Sequence, residues 1–328
     1  MARVVRTDRE LELPGVDAAL RAAGHELVLL QDGVPEEILV HETREAELLL
    51  MCYTPVTRRV IEAASKLKGI VKYGVGIDAI DIPAARQRGI PVANVPEYAE
   101  ETVAEGAFAL LMALVKKLKP LQRAMERAGW VWPTQEWLAG ELAGKTVGLV
   151  GLGRIGSSFA RMAGAFRMRV LAFDPYVGGT ATDLRAMLAE CDFVSVHCVL
   201  NDETRHLIGE AELRAMRPAA VLVNVSRGAI VDETALLRAL QEKRIAGAAL
   251  DVYSREPLKK TGHPLSALYA MDNVILSPHL TFYSREAMAR LEAETLERCR
   301  EVLEGKPLTV RSRDPRLRAQ IRGVRFVD

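Results

Sequence analysis

From Thr146 to Asp174 the chain reads TVGLVGLGRIGSSFARMAGAFRMRVLAFD, and few folds accommodate that order of parts. TVGLV is a short apolar run with β-branched residues, the pattern of a buried strand. Gly151, Gly153 and Gly156 follow at G-x-G-x-x-G spacing. Ile155 to Phe166 is amphipathic and reads as a helix, and a second apolar run, RVLAF, ends on Asp174. Gly151 permits a tight strand-to-helix turn, Gly153 lets backbone approach a pyrophosphate, and Gly156 lets the helix pack closely on the strand. The helix N-terminus offers N–H groups and a positive dipole end to phosphates. Asp174 stands where a carboxylate can accept hydrogen bonds from both ribose hydroxyls. Strand, glycines, helix and acid together indicate a dinucleotide site. Asp174 would repel a 2′-phosphate, and Pro175 and Tyr176 follow it instead of Arg, so the expected cofactor is NAD.

At 328 residues the chain is long enough for two domains of ordinary size. It is 49% hydrophobic and 27% charged, which suits a globular protein with large cores. A net charge of +1 supplies no global field for nucleic acid or a membrane surface, and no apolar run reaches spanning length. Cys52, Cys191, Cys198 and Cys299 are scattered without a CxxC pair, as expected of reduced thiols in a cytoplasmic protein rather than a disulfide frame or metal site. The opening MARVVRTDRELELPG has no apolar core of the signal-peptide type.

The first hundred residues alternate ARVVRT, HELVLL, AELLLMC, LKGIVKY and PVANV, which read as strands, with helical runs over 13–23, 57–66 and 82–88. That is a parallel α/β pattern in its own right. A long helical stretch, 100–127, follows, broken or kinked near Pro120 and apolar on nearly every face. Gly129 to Glu141 holds all three tryptophans, Trp130, Trp132 and Trp137, which suit either packing under a loop or a subunit contact. From Thr146 to Pro278 the strands TVGLV, RVLAF, DFVSVHCV, AVLVNVS, GAALDVY and NVILSP alternate with helices, as in a doubly wound sheet. Ser284 to Leu303 reads as one amphipathic helix, and the Arg-rich remainder as a solvated or subunit-packed end.

Ligands of such sheets bind beyond the carboxyl ends of the strands, and three residues of catalytic type stand there. They are Arg227 in NVSRGAIVDE, Glu256 in ALDVYSREP and His279 in ILSPHLTFYS. Hydride transfer to a 2-keto acid requires a proton donor for the carbonyl oxygen, a cation for the carboxylate and a group that tunes the donor. Histidine titrates near neutrality and fits the first need. Arg227 can grip a carboxylate and polarise the neighbouring carbonyl. A carboxylate such as Glu256 beside the histidine fixes its tautomer and favours its protonated form.

With these residues in their blocks, the chain resembles the D-isomer-specific 2-hydroxyacid dehydrogenases. The resemblance runs through KYGVGIDAID, NVPEYAEETVAE, GLGRIG, FDPY, NVSRGAIVDE, ALDVYSREP and SPH, in that order. It implies two doubly wound parallel-sheet α/β domains, a Rossmann NAD-binding domain over 101–282 inserted in a flavodoxin-like substrate domain made of 1–100 and 283–328. It implies that Arg227, Glu256 and His279 are catalytic. Gly151, Gly153, Arg154, Ile155, Gly156, Asp174, Cys198, Ser226 and Asp251 match cofactor-contacting positions, and Thr102 is a further match. Val75 and Gly76 match the turn whose amides hold the substrate carboxylate. Tyr53, Thr54, Val75 and Phe282 are expected to line the substrate pocket, with Met51 and Cys52 beside them. A homodimer through the NAD domain, with 100–141 as its arm, is also implied.

Within the family, EYAEETVAE, DFVSVHCVLNDETRHLI and SPHLTFYS are most similar to the C-terminal-binding-protein corepressors and their bacterial dehydrogenase relatives, with the phosphoglycerate dehydrogenases also close. Met51-Cys52 stands where the latter often carry Arg-Ser, and Phe282 where the former commonly carry tryptophan. The expected substrate is therefore a small 2-keto acid with an uncharged or modestly apolar side chain, reduced to the D-2-hydroxy acid. The alternatives are an NAD(H)-sensing, corepressor-like binding protein and a phosphite dehydrogenase.

Overall fold

The computed structural model describes residues 1–327. The chain divides into two compact α/β units, one formed by Met1–Ala99 with the chain from Ser284 on, the other by Glu100–Tyr283.

The first unit is built on strands β1 (Arg3–Arg6), β2 (Glu26–Leu29), β3 (Leu48–Met51), β4 (Gly69–Lys72) and β5 (Val92–Asn94). All pair in parallel in the order β2-β1-β3-β4-β5, a flavodoxin-like winding. β3 and β4 are buried along their whole length, which is why LLLM and GIVK read as continuous apolar runs instead of alternating ones. Helices form where the sequence supplies caps. Thr57 caps Arg58–Ala63 by accepting from the Val60 amide, and Asp81 caps Ile82–Gln87 by accepting from Ala84. Ser284 caps the long Arg285–Leu303 helix in the same way. One helix, Glu36–Thr43, escapes the sequence reading. It follows Pro35 without a side-chain cap, and its apolar residues 38–40 are consecutive, so no helical period shows.

The Arg-rich end is folded, yet much of it faces solvent, with Ile321, Arg322, Arg325 and Phe326 exposed. After the long helix come β12 (Leu308–Val310) and β13 (Val324–Phe326), paired in parallel around a short helix, Pro315–Arg318, whose Leu317 is fully buried. The Gln320 side chain accepts from Val92 N and donates to Val92 O, extending β5. Arg316 pairs with Asp314, Arg325 with Thr309, and Arg318 donates to the Ser312 and Val327 carbonyls. The arginines thus stitch this end to itself, which a period-based reading cannot detect.

The second unit holds β6 (Thr146–Val150), β7 (Arg169–Phe173), β8 (Phe193–Val196), β9 (Val221–Asn224), β10 (Gly247–Leu250) and β11 (Val274–Leu276) in one parallel sheet, ordered β11-β10-β9-β8-β6-β7. The chain winds from β6 to β7 on one side and crosses to β8 on the other. The topological switch therefore lies at the carboxyl ends of β6 and β8. Val150, Val194, Val196, Leu222 and Leu250 belong to its core.

The expected long helix is two. Glu100–Val115 buries Val103, Ala104, Ala107, Phe108 and Leu111, a single stripe. Leu118–Ala128 starts after Lys117, which takes φ 54°. The break precedes Pro120 by three residues, because proline fits the first turn of the second helix, where its absent N–H costs nothing. The following arm carries a short 3-10 turn, Gln135–Trp137. Trp130 and Trp132 are 65% and 75% exposed and meet edge to face, with centroids 6.3 Å apart.

Candidate active site

The carboxyl ends of the second unit's strands assemble most of the residues expected to act. β6 ends in Gly151, at φ 101°, a left-handed conformation that glycine accepts without penalty. A Cβ there would stand 2.5 Å from Cys198 N and 2.8 Å from Cys198 Cα, so only glycine lets the loops after β6 and β8 touch. A Cβ on Gly156 would collide with the Gly151 carbonyl oxygen. Gly153 differs: nothing lies within 4 Å of the place its Cβ would take. Gly153 also caps the Arg154–Ala165 helix without a side-chain hydrogen bond to the first-turn amides. An open face over a helix N-terminus fits a pyrophosphate. Ile155 is half-buried in that first turn, and Arg154 is half-buried with Nε 3.0 Å from Glu100. Thr102 lies half-buried in the first turn of Glu100–Val115.

Asp174 follows β7 directly. Its Oδ2 accepts from Leu152 N at 2.8 Å, and its Oδ1 from Tyr176 N at 2.9 Å and Val177 N at 3.1 Å. Asp174 therefore shapes the glycine loop. A carboxylate has about four acceptor positions, so further donors can be received. Ser226 donates its hydroxyl to the Cys198 carbonyl and joins the loops after β8 and β9. Burial pushes the Cys198 thiol up to about 12, so it stays protonated and unreactive at neutral pH.

His279 stands after β11 at φ 59°, left-handed and uncommon outside glycine. Its Nδ1 lies 2.9 Å from Glu256 Oε2. Glu256 Oε1 accepts from Tyr253 N at 3.0 Å, so the acid is oriented before it meets the ring. The contact with Glu256 engages Nδ1 of the ring. The His279 and Glu256 side chains keep 20% and 32% of their surface exposed, so solvent reaches both. Phe282 is buried and stands edge-on to the imidazole, with centroids 6.1 Å apart at 89°.

Asp251 is completely buried and holds the histidine loop. Its Oδ1 accepts from Leu280 N at 3.0 Å, and its Oδ2 from Thr281 N at 3.0 Å and Thr281 Oγ1 at 2.6 Å. Arg227, half-buried after β9, donates Nη1 to the Ser226 carbonyl at 2.8 Å. Two further residues set this loop. Asn224 is buried; its Nδ2 donates to Arg227 O at 2.9 Å and its Oδ1 accepts from Ser226 N at 3.1 Å. Gly228 packs against the backbone of Tyr253 and Ser254, where any Cβ would collide. That contact brings the Arg227 loop onto the Glu256 loop. Both stand in NVSRG; Asn224 serves its own loop, and Gly228 meets neighbours that only the fold supplies.

The other expected residues lie in the first unit. Tyr53 and Val75 are 38% and 37% exposed, Gly76 is partly exposed, and Thr54 is buried. Asn94 Nδ2 donates to Val75 O at 2.6 Å and fixes that turn. Met51 and Cys52 are buried and pack the strand end. Among the described residues no group of three or more His, Cys, Asp or Glu is arranged to hold a metal, and no helix is long and apolar enough to cross a membrane.

A doubly wound parallel sheet, a glycine loop at its switch point and a Glu–His pair at the same edge define a nicotinamide-dependent dehydrogenase. Residues 108–281 match the model of the D-isomer specific 2-hydroxyacid dehydrogenase NAD binding domain. Over 287 residues the chain is 40% identical to a glyoxylate reductase of Korarchaeum cryptofilum, covering 83% of this chain and 85% of that one. It is 37% identical over 316 residues to a D-3-phosphoglycerate dehydrogenase of Synechocystis, covering 94% of this chain but 55% of that longer one. The solved D-lactate dehydrogenase of Aquifex aeolicus, complexed with NAD and lactic acid, superposes with a TM-score of 0.83 at 32% identity, covering 92% and 96% of the two chains. The protein belongs to the D-isomer-specific 2-hydroxyacid dehydrogenase family, and its cofactor is NAD.

Proposed function

We propose that the protein reduces a small 2-keto acid to its D-2-hydroxy acid, with His279 as acid–base group, Glu256 as its partner and Arg227 as the grip on the carboxylate. The observation that carries this is the 2.9 Å contact between His279 Nδ1 and an already oriented Glu256. When bound, the reduced nicotinamide supplies the hydride. Gly151, Gly153, Arg154, Ile155, Gly156, Asp174, Cys198, Ser226, Asp251 and Thr102 are the residues that would hold it. Arg227 draws electron density from the keto group while fixing the adjacent carboxylate. His279 Nε2 delivers a proton to the carbonyl oxygen, and Glu256 stabilises the imidazolium before transfer and holds the tautomer afterwards. In the oxidative direction Nε2 removes the same proton. Tyr53, Thr54, Val75, Gly76 and Phe282 bind the substrate, the Val75–Gly76 amides through its carboxylate. Similarity to a glyoxylate reductase supports the small end of the 2-keto acids, and a buried Met51-Cys52 strand end without arginine speaks against a phosphorylated one.

The functional unit is a homodimer joined through the Glu100–Glu141 region, whose exposed tryptophans call for a partner surface. The working compartment is the cytoplasm, in keeping with four cysteines that no disulfide joins. NADH consumption against glyoxylate, hydroxypyruvate, pyruvate, longer aliphatic and aromatic keto acids and phosphohydroxypyruvate tests the proposal. Turnover is expected with the small unphosphorylated acids. Turnover of phosphohydroxypyruvate alone would overturn the substrate class, and none across the panel would overturn the reaction.

A further inference from the structure

We infer that Asp8 and Lys72 are positioning residues which grip the Cys52–Thr54 turn from opposite polarities and thereby set where Tyr53 stands. This rests on the reading of Tyr53 and Thr54 as substrate-binding residues. Asp8 stands outside every motif, Lys72 only opens the KYGVGIDAID block, and the two lie far apart in sequence.

Asp8 follows β1, is fully buried and sits at φ 54°, a left-handed conformation that aspartate adopts more readily than most residues. Its carboxylate gathers the turn's donors. Cys52 N and Tyr53 N donate to Oδ2 at 2.8 and 2.9 Å. Thr54 N donates to Oδ1 at 3.0 Å and Thr54 Oγ1 donates to it at 2.7 Å. Three consecutive backbone amides thus converge on one side chain, and the Thr7 hydroxyl completes the set.

Lys72 ends β4 and is 3% exposed. Its Nζ donates to the Cys52 carbonyl at 2.7 Å, lies 3.0 Å from Cys52 Sγ, and stands 5.3 Å from the centroid of the Tyr53 ring. The turn's amides are taken by an acid and its first carbonyl by an amine. Gly74, at φ 150°, makes room for that amine, since a Cβ there would stand 2.8 Å from Nζ. The turn of Tyr53 and the turn of Val75–Gly76 are therefore coupled through one lysine.

Buried polar groups are costly unless satisfied, and an apolar strand end would be at least as stable. What this arrangement adds is a fixed backbone for three residues that make no ladder hydrogen bonds. Thr54 gives both its amide and its hydroxyl to Asp8, and Tyr53 is the exposed residue of the turn.

The test is steady-state kinetics on the full-length protein with glyoxylate, pyruvate and 4-methyl-2-oxopentanoate, together with NADH affinity and thermal midpoint. Asp8→Asn turns one acceptor into a donor facing amide N–H groups. It should raise KM for the keto acids about tenfold while kcat changes less than threefold and NADH affinity stays the same. Lys72→Met should raise KM about threefold and alter the ratio of kcat/KM between glyoxylate and the branched acid. Thr7→Val, which removes one donor to Asp8, gives a milder version should Asp8→Asn fail to fold. Unchanged KM in folded Lys72→Met and in the folded Asp8 or Thr7 variant would overturn the inference. So would parallel loss of KM, kcat, NADH binding and thermal midpoint, which marks a purely structural role. Tyr53→Ala separates the premise: if it leaves KM unchanged, the turn does not bind substrate, whatever Asp8 does.

Discussion

At the scale of single residues, the chemistry depends on which nitrogen of His279 is committed. In the proposed mechanism Glu256 holds Nδ1 and the proton passes through Nε2. Replacing His279 by Ala should lower kcat by about a thousandfold, within the usual range for a lost acid–base group. The NADH dissociation constant should be nearly unchanged, because the glycine loop and Asp174 are untouched. Stopped-flow titration of NADH fluorescence against steady-state turnover checks both, and loss of NADH binding would contradict the role. Asp174 makes a second residue-scale prediction. Asp174→Ala should weaken the preference for NADH over NADPH by at least tenfold, read as the ratio of kcat/KM values. It should also weaken NADH binding, because Leu152, Tyr176 and Val177 lose their acceptor. An unchanged cofactor ratio would refute the charge argument. The placing of Arg227, Glu256 and His279 past strand ends of one sheet was legible in the sequence, because each follows an apolar run. The roles of Asn224, Gly228 and Asp8 were not: Asn224 serves the backbone of its own loop, and Gly228 and Asp8 act on backbone groups distant in sequence.

At the scale of elements, the site is a set of loop ends pressed together, and two positions test that contact. Gly228→Ala would push the Arg227 loop off the Tyr253–Glu256 loop. It should cut kcat/KM by tenfold or more and destabilise the fold by about 2 kcal/mol, as overpacking does. Activity near wild type would show that the contact is dispensable. His197, just after β8, packs its ring 5.2 Å from Phe159 and behind Gly156, with both ring nitrogens sealed and without a partner among the described residues. Burial lowers its pKa to about 3. The unfolded chain, titrating near the ordinary value, binds the proton more readily. Stability is therefore complete above about pH 6.5 and is lost as pH falls from there toward 3, by about 3 kcal/mol at pH 4. His197→Phe should flatten this acid limb in denaturant titrations at pH 4 and 7, and an equally steep loss in the variant would sink the assignment. The strands of both sheets were legible because parallel strands covered on both faces are short apolar runs with turns at their ends. Glu36–Thr43 and the packed C-terminal end were not, since neither shows a period. The helix break was placed near Pro120 but falls at Lys117, because proline tolerates a first turn and only the turn before it must open.

At the scale of the whole molecule, the exposed apolar surface of the arm is what supports the proposed homodimer. Leu118, Met125, Trp130, Trp132 and Leu138 are each more than a third exposed, and all fall within residues 118–138. Single exposed apolar residues are ordinary, but a run that includes two tryptophans is unusual for a monomer surface. The preceding helix points the same way, since one stripe is buried while Leu110, Met112, Leu114 and Val115 are only half-covered. Tryptophan is the side chain that most often dominates a subunit interface, typically with about 2 kcal/mol or more lost on truncation. Sedimentation equilibrium should therefore give twice the 36.1 kDa of one chain at micromolar concentration. Trp130→Ser with Trp132→Ser should raise the dimer dissociation constant by at least thirtyfold, about 2 kcal/mol. The thermal midpoint of the double variant should fall and become dependent on concentration, because association stabilises the folded state by mass action. A wild-type chain that sediments as a monomer would remove the arm from the assembly argument, and a double variant that stays dimeric would move the contact away from the tryptophans.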